Sequence, residues 1–561
     1  VRGSLLVSAL VLLSASGVAR GQASAEEPRF PFRDVAAEAG ITFEQSSAPE
    51  KKFILESMPG GLALIDFDDD GLPDVYFVNS LTVETAASPR SARSALYHNR
   101  GGLRFVDVTE EAGLEYPGWG MGACVADYDG DGRQDLYVTT VGRDRLYRNR
   151  SGKGGPAFED VTDAAGIVAG GWSTGCGFAD YDRDGDLDLF VSRYVEVDLE
   201  RLPEFGKGKF CVFRGIEVQC GPRGLPGTGD LLFRNDGKGR FQEVGKAAGV
   251  SDPEEYFGLG VAWFDSNADG WPDLFVANDS GPNFLYRNKK DGTFEEEAFP
   301  MGVAVSEDGS EQGCMGVAVG DYLNEGKPAL FVTNFAEEYN ALYRHRGSFY
   351  SDESFRSASA STSLPYVGWG TSFFDYDNDG WMDLVVVNGH VYPQMAHVTM
   401  GASAPYRQRK LFYRNRRDGT FEEIGETFGP AFADPNVSRG LAVGDLDDDG
   451  RLDLVVNVLD GRPQILHNQV TGAGNWLLVK LEGAGKLTDA IGALITARIG
   501  EQIQSRLIRS GTAYLSQEDM RQHFGLGKAA KVDSVEVLWP DGKTTRKADV
   551  AANQILVIRQ E

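Results

Sequence analysis

Six copies of one nine-residue pattern, Asp-x-(Asp/Asn)-x-Asp-Gly-x-x-Asp, start at Asp66, Asp127, Asp180, Asp265, Asp375 and Asp445, and a degraded copy starts at Asp321. Successive starts lie 53 to 85 residues apart in a chain of 561. Units of that size bury their apolar faces only against one another, so the repeat fixes the class of architecture before any single residue is considered.

Within each intact copy, side chains at positions 1, 3, 5 and 9 and the main-chain carbonyl at position 7 can form an all-oxygen cage. The candidate ligands are Asp66, Asp68, Asp70, Leu72 and Asp74 in the first copy and Asp127, Asp129, Asp131, Arg133 and Asp135 in the second. The third offers Asp180, Asp182, Asp184, Asp186 and Asp188, and the fourth Asp265, Asn267, Asp269, Trp271 and Asp273. Asp375, Asp377, Asp379, Trp381 and Asp383 follow in the fifth, then Asp445, Asp447, Asp449, Arg451 and Asp453 in the sixth. Such cages suit calcium, which takes six to eight oxygens at about 2.3–2.6 Å, better than magnesium, which keeps several waters. About six calcium sites are expected. Gly71 stands where the tight turn calls for positive φ. The degraded copy has Leu323 and Ala329 at positions 3 and 9, so the same turn is expected there without an ion.

An EF-hand shares this opening but needs a bidentate Glu at position 12 between two helices. Position 12 here is Phe77, Val138, Val191, Val276, Val386 and Val456, inside apolar runs such as Asp383-Leu-Val-Val-Val387 that read as buried strands. These loops therefore join strands.

Each unit carries two further signatures. One is Leu-(Tyr/Phe)-(Arg/His)-Asn or near it, ending at Asn99, Asn149, Asn235, Asn288 and Asn415; the other is Phe-x-(Asp/Glu)-Val or a variant, at Phe105, Phe158, Phe241, Phe294 and Phe421. Strand, loop, strand, strand, turn, strand is a four-stranded meander, and seven laid radially make an all-β, seven-bladed β-propeller. The last unit ends at Asn468 without its Phe-x-Asp-Val, whereas an orphan Phe32-Arg-Asp34-Val35 precedes the first unit. An open solenoid would leave that strand unused, so a ring closed by the N-terminal strand is expected. The third interval is about thirty residues longer than its neighbours, and its excess, roughly Tyr194 to Gly229, is expected to rise over one face.

Arg2, an apolar run from Leu5 to Leu13 and small residues to Ala25 read as a signal peptide over 1–25, cleaved near Ala25. The propeller is then expected over 26–470 and a separate β-rich domain over 475–561. Export permits disulfides. Cys211 and Cys220 share the polar insertion and are expected to pair, whereas Cys124, Cys176 and Cys314 read as buried small hydrophobes. The net charge of −28 disfavours nucleic acid and anionic membranes as partners. Much of it is loop chemistry, because the intact copies contribute 23 aspartates.

These loops resemble the FG-GAP/VCBS-type repeats of integrin-like propellers, as does the glycine-rich approach in Gly118-Trp-Gly120, Phe257-Gly258-Leu-Gly260 and Gly368-Trp-Gly370. More closely, the chain resembles a bacterial relative of the cartilage acidic protein family, in which a propeller precedes an ASPIC/UnbV domain. Cys211 to Leu225 and Asn388-Gly-His390 are similar to family signatures. Asn475 to Leu481, Asp489 to Ala493, Gly511 to Ser516, His523 to Gly527 and Val535 to Gly542 follow the ASPIC/UnbV order. One departure is Leu487-Thr488, where that pattern has an Asn-Arg pair.

No Gly-x-Ser-x-Gly elbow, Cys-x-x-Cys pair, His-Glu-x-x-His helix or phosphate loop is present. His98, His345 and His467 occupy the repeated slot before or at the blade asparagine and read as packing residues. Glu56, His390 and His397 are the candidates for a ligand or second-metal face. The expected function is a secreted, calcium-binding scaffold that meets an extracellular protein or glycan; the alternative is a calcium-dependent, lyase-like enzyme on extracellular polysaccharide.

Overall fold

The computed structural model describes Val1 and residues 29–87, 92–397 and 405–561, with only the main chain of His397; the expected leader lies outside the described residues. Blade 1 is a meander of Leu62–Ile65, Asp74–Phe77, Ala95–Asn99 and Phe105–Asp107. Blades 2 to 7 repeat it, with first strands at Trp119–Ala126, Gly170–Ala179, Gly258–Phe264, Val317–Gly320, Gly368–Phe374 and Val437–Gly444. Second strands such as Asp383–Asn388 are buried along their whole length, because a neighbouring blade covers each face. That double burial is why they read as continuous apolar runs rather than as alternating ones.

The ring closes as the displaced signature implies. Phe32–Asp34 is the fourth strand of blade 7, antiparallel to Gln464–Asn468, with Phe32 opposite Asn468 and Asp34 opposite Leu466. Phe32 is buried and packs on Phe428 and Phe432, at ring separations of 5.7 and 5.4 Å.

The blade asparagines stitch the ring together. Asn149 Nδ2 donates to the Phe67 carbonyl in blade 1, Asn235 to Tyr128 in blade 2 and Asn288 to Tyr181 in blade 3, at 2.8 to 2.9 Å. Asn415 reaches Tyr322 and Asn468 reaches Tyr376, both at 2.8 Å. Each asparagine thus clamps the Asp-rich loop of the preceding blade through the carbonyl at loop position 2.

Two disulfides are present among the described residues. Cys211 and Cys220 pair as expected and bracket a small hairpin, Val212–Phe213 with Ile216–Glu217, inside the insertion. Cys124 and Cys176, expected to be independent buried hydrophobes, are instead bonded, with Cα atoms 5.9 Å apart. They sit on the first strands of consecutive blades, which run side by side near the axis, so residues 52 apart in sequence meet. On loop length alone such a bond contributes about 4 kcal/mol. Cys314 is free and buried.

After Asn468 the next strand is Asn475–Glu482, which opens two small sheets, one of three strands and one of four. These sheets lie against the Asp-loop end of the propeller. Segment 510–517 enters the central axis. There Ala123 N donates to Leu515 O (3.2 Å), Val317 N to Ala513 O (2.9 Å) and Leu64 N to Gln517 O (2.9 Å). Tyr514 penetrates furthest: its hydroxyl donates to Met58 O at 2.8 Å and its ring stands edge-on to Trp369 at 4.8 Å. The inner strands are rich in glycine because this plug comes so close; a Cβ on Gly61 would lie 2.1 Å from Leu515 O.

Candidate metal centres

The Asp-rich loops share one internal wiring. In all seven, the position-1 carboxylate accepts the N–H of the position-6 glycine at 2.7–3.2 Å. In the six intact copies, the position-5 carboxylate accepts the N–H of position 7 at 2.9–3.2 Å. Position 9 opens the second strand and is buried, and its Oδ1 accepts the main-chain N–H of the blade asparagine at 2.7–2.8 Å. Gly71 has φ +94°, as the turn requires. The Asp321 loop keeps this turn, with its Glu325 and Gly326 N–H groups on Asp321.

Backbone N–H groups thereby fix the carboxylates at positions 1, 5 and 9, while several other carboxylate oxygens have no such partner. Oδ1 of Asp66, Asp129, Asp180, Asp182, Asp377 and Asp447, and Oδ2 of Asp188, are buried without a hydrogen-bond partner. A buried unpaired carboxylate oxygen is costly, and a cation is the partner that satisfies several at once. The strain shows in their protonation. Burial, reinforced by neighbouring carboxylates, pushes Asp66 up to about 6, Asp180 to about 7 and Asp445 to about 8.

Among the described residues, five groups bring three ligand atoms within 4.8 Å of one another: Asp127, Asp129 and Asp131; Asp180, Asp182 and Asp188; Asp375, Asp377 and Asp383; Asp68, Asp70 and His98; and Asp447, Asp449 and His467. These groups could hold metal ions, and the three all-carboxylate groups offer the oxygen donors that suit a hard divalent cation. In the fourth copy Asn267 Nδ2 donates to Asp269 (3.0 Å) and Lys290 lies 3.2 Å from the same carboxylate. His98 packs edge-on against Phe67 at 5.0 Å, as expected of a packing residue, and both it and His467 also turn toward the carboxylates. The signal was the residue that five other blades carry in that slot, an arginine; Arg148 Nε lies 2.6 Å from Asp129 and Arg234 Nε 2.8 Å from Asp182.

The C-terminal sheets cover these loops with complementary groups, none of which the loop spacing alone reveals. Lys480 Nζ reaches Asp69 (2.7 Å) and Asp66 (3.3 Å), and Lys486 Nζ reaches Asp186 at 2.6 Å. Asp127 N donates to Asp489 Oδ2 at 2.8 Å. Thr488, at the departure from the Asn-Arg pair, donates its hydroxyl to Asp127. Arg521 is almost fully buried and bridges Gly71 O (2.8 Å), Asp448 (2.7 Å) and Asp445 O (2.6 Å). A cleft of about 730 Å³ lies between the two parts, lined by Asp66, Asp68, Asp131, Lys480 and Arg521 among others.

Glu56 and His390 do not form an open ligand face, and the side chain of His397 lies outside the described residues. Glu56 is buried and accepts Val83 N–H at 3.0 Å. His390 is sealed under Phe213 of the insertion, Phe335 and Tyr392, with ring separations of 5.2–5.6 Å. Burial, then Arg439, holds it down to about 3. His397 ends a 3-10 turn, Pro393–His397.

A family model described as FG-GAP-like repeat matches residues 66–138, 127–191, 265–332, 321–386 and 402–456, and one described as ASPIC and UnbV matches 483–561. Cartilage acidic protein 1 of Homo sapiens is 27% identical over 522 residues, spanning 88% of this chain and 70% of the relative. The Xenopus tropicalis protein of that name is 27% identical over 520 residues, 89% of this chain and 73% of the relative. A solved Agrocybe aegerita lectin, which recognises non-reducing terminal N-acetylglucosamine, superposes with a TM-score of 0.38 and 15% identity, covering 67% of this chain and 84% of that chain.

Proposed function

This chain belongs to the FG-GAP-like repeat family, joined to an ASPIC and UnbV domain, and from that premise we propose that it is a secreted, calcium-stabilised scaffold whose far propeller face binds an extracellular protein or glycan. The observation that carries this reading is the cover on the loops. Lys480, Lys486, Asp489 and Arg521 occupy the Asp-loop face, so those carboxylates serve the inside of the molecule. Calcium in the loops would fix the blades and the docked sheets as one body. The opposite end carries the long insertion of blade 3, with Leu199, Phe210 and Val212 exposed, and is the surface available to a partner.

Two disulfides support an oxidising destination. No helix among the described residues is long and apolar enough to cross a membrane. The test is a glycan array and a panel of extracellular matrix proteins, probed with the intact chain and with a Phe210→Ala/Val212→Ala variant of unchanged melting temperature. Binding that the variant loses supports the scaffold. Appearance of unsaturated uronate absorbance on a polysaccharide panel would overturn it in favour of the lyase-like alternative.

A further inference from the structure

The third strand carries one residue just before the asparagine or its replacement. In blades 1, 2, 3, 5 and 7 that residue meets a carboxylate of the Asp-rich loop, whereas in blades 4 and 6 it pairs with Glu297 and Glu422. Five blades put arginine there, and a guanidinium neutralises carboxylates but has no lone pair to give a metal. Blades 1 and 7 put histidine there: His98 and His467. His98 is 5% exposed, with Nε2 aimed at Asp68 Oδ2 (3.3 Å) and Asp70 Oδ2 (3.8 Å). Its Nδ1 is buried without a partner, and so is Asp66 Oδ1 in the same loop. His467 Nδ1 lies 3.1 Å from Asp453 Oδ1. The imidazole offers a ring nitrogen that lies, with carboxylate oxygens of Asp447 and Asp449, inside one group of atoms all within 4.8 Å of one another.

We propose that the loops of blades 1 and 7 are mixed nitrogen–oxygen sites that take a borderline divalent transition ion of the zinc class in preference to calcium. This rests on the reading that the loops hold cations, and it divides them by chemistry. Calcium is bound by oxygen, whereas imidazole suits zinc and its neighbours. Two donors at about 2.0–2.1 Å from a tetrahedral zinc stand roughly 3.4 Å apart, and His98 Nε2 stands 3.3 Å from Asp68 Oδ2. The two blades adjoin at the seam where the ring closes, so this pair of ions would lie on either side of it.

The test loads the full chain with calcium in excess, adds limiting zinc chloride, desalts, and counts both metals by elemental analysis. Two zinc ions per chain are expected beside calcium in the remaining loops. His98→Arg and His467→Arg, which install the residue of the other blades, should each remove one zinc, and the double variant both, with the remaining calcium unchanged. X-ray absorption on the zinc-loaded, unsubstituted chain gives a readout that no variant's folding can confuse, with imidazole scattering expected in the first shell. Zinc retention unaltered in the double variant, an all-oxygen zinc shell, or calcium retained with no zinc would each overturn the proposal. A folded chain that retains neither metal would instead contradict the cation reading of the loops themselves.

Discussion

Asn99 of the first blade donates its side-chain N–H to the main-chain carbonyl of Leu446 in the last blade, 2.8 Å away across 347 residues of sequence. This is the stitch that every intact blade makes to its predecessor, here made across the seam. The same Nδ2 reaches Pro73 O at 3.1 Å, and Oδ1 accepts Gly101 N–H at 3.0 Å. Strand Phe32–Asp34 closes the outside of the seam, and Asn99 closes it beside the loops.

Replacing Asn99 by Ala would orphan two buried carbonyls. At about 1–3 kcal/mol for each unpaired buried group, the loss should be about 2–6 kcal/mol. Chemical denaturation followed by tryptophan fluorescence reads it as a lower midpoint. A midpoint equal to that of the unsubstituted chain would mean the stitch contributes nothing to closure.

Arg521 joins the C-terminal sheets to both loops at the seam, through Gly71 O, Asp445 O and Asp448, while its own Asp519 lies 2.8 Å away. Arg521→Met leaves Asp519 buried beside an apolar stem, a change that costs about 3–5 kcal/mol in buried pairs. Amide hydrogen exchange in residues 66–74, 445–453 and 510–519 should quicken together. Protection lost only at the site of substitution would show that the sheets dock without this bridge.

Much of the fold is legible in the sequence because its determinants are local. A glycine at position 6, carboxylates at 1, 3, 5 and 9, and an apolar second strand are each written within a dozen residues, and a strand missing at one end reappears at the other. The contacts of His98 and the bond between Cys124 and Cys176 were not legible in that way. The first depends on how the third strand of a blade lies beside its own loop and the second on which blades stand side by side, and neither is written in a residue's neighbours in sequence. His390 shows the converse: its position after a strand suggested a face, but Phe213 from the distant insertion covers it.

In the metal-free chain, Asp66, Asp180 and Asp445 titrate at about 6, 7 and 8, raised first by burial. An unfolded aspartate titrates near 4. Between about pH 4 and 8 the metal-free fold therefore holds protons that the unfolded chain has released, so its stability falls as pH rises through that window. A chelated sample should melt at a lower temperature at pH 8 than at pH 5.5. With calcium present the carboxylates stay ionised and paired, and the slope should flatten or reverse. Parallel pH profiles with and without the ion would contradict the assignment of these groups.

The most direct test of the loops as structural cation sites is the thermal melt of the full chain in calcium and after exhaustive chelation, with metal content checked by elemental analysis. An ion held at 100 times its Kd contributes about 2.7 kcal/mol per site. Spread over five or so sites in a chain of this size, that amounts to a fall of about 10 °C on chelation, restored by added calcium. Identical melts with and without bound metal would contradict the account.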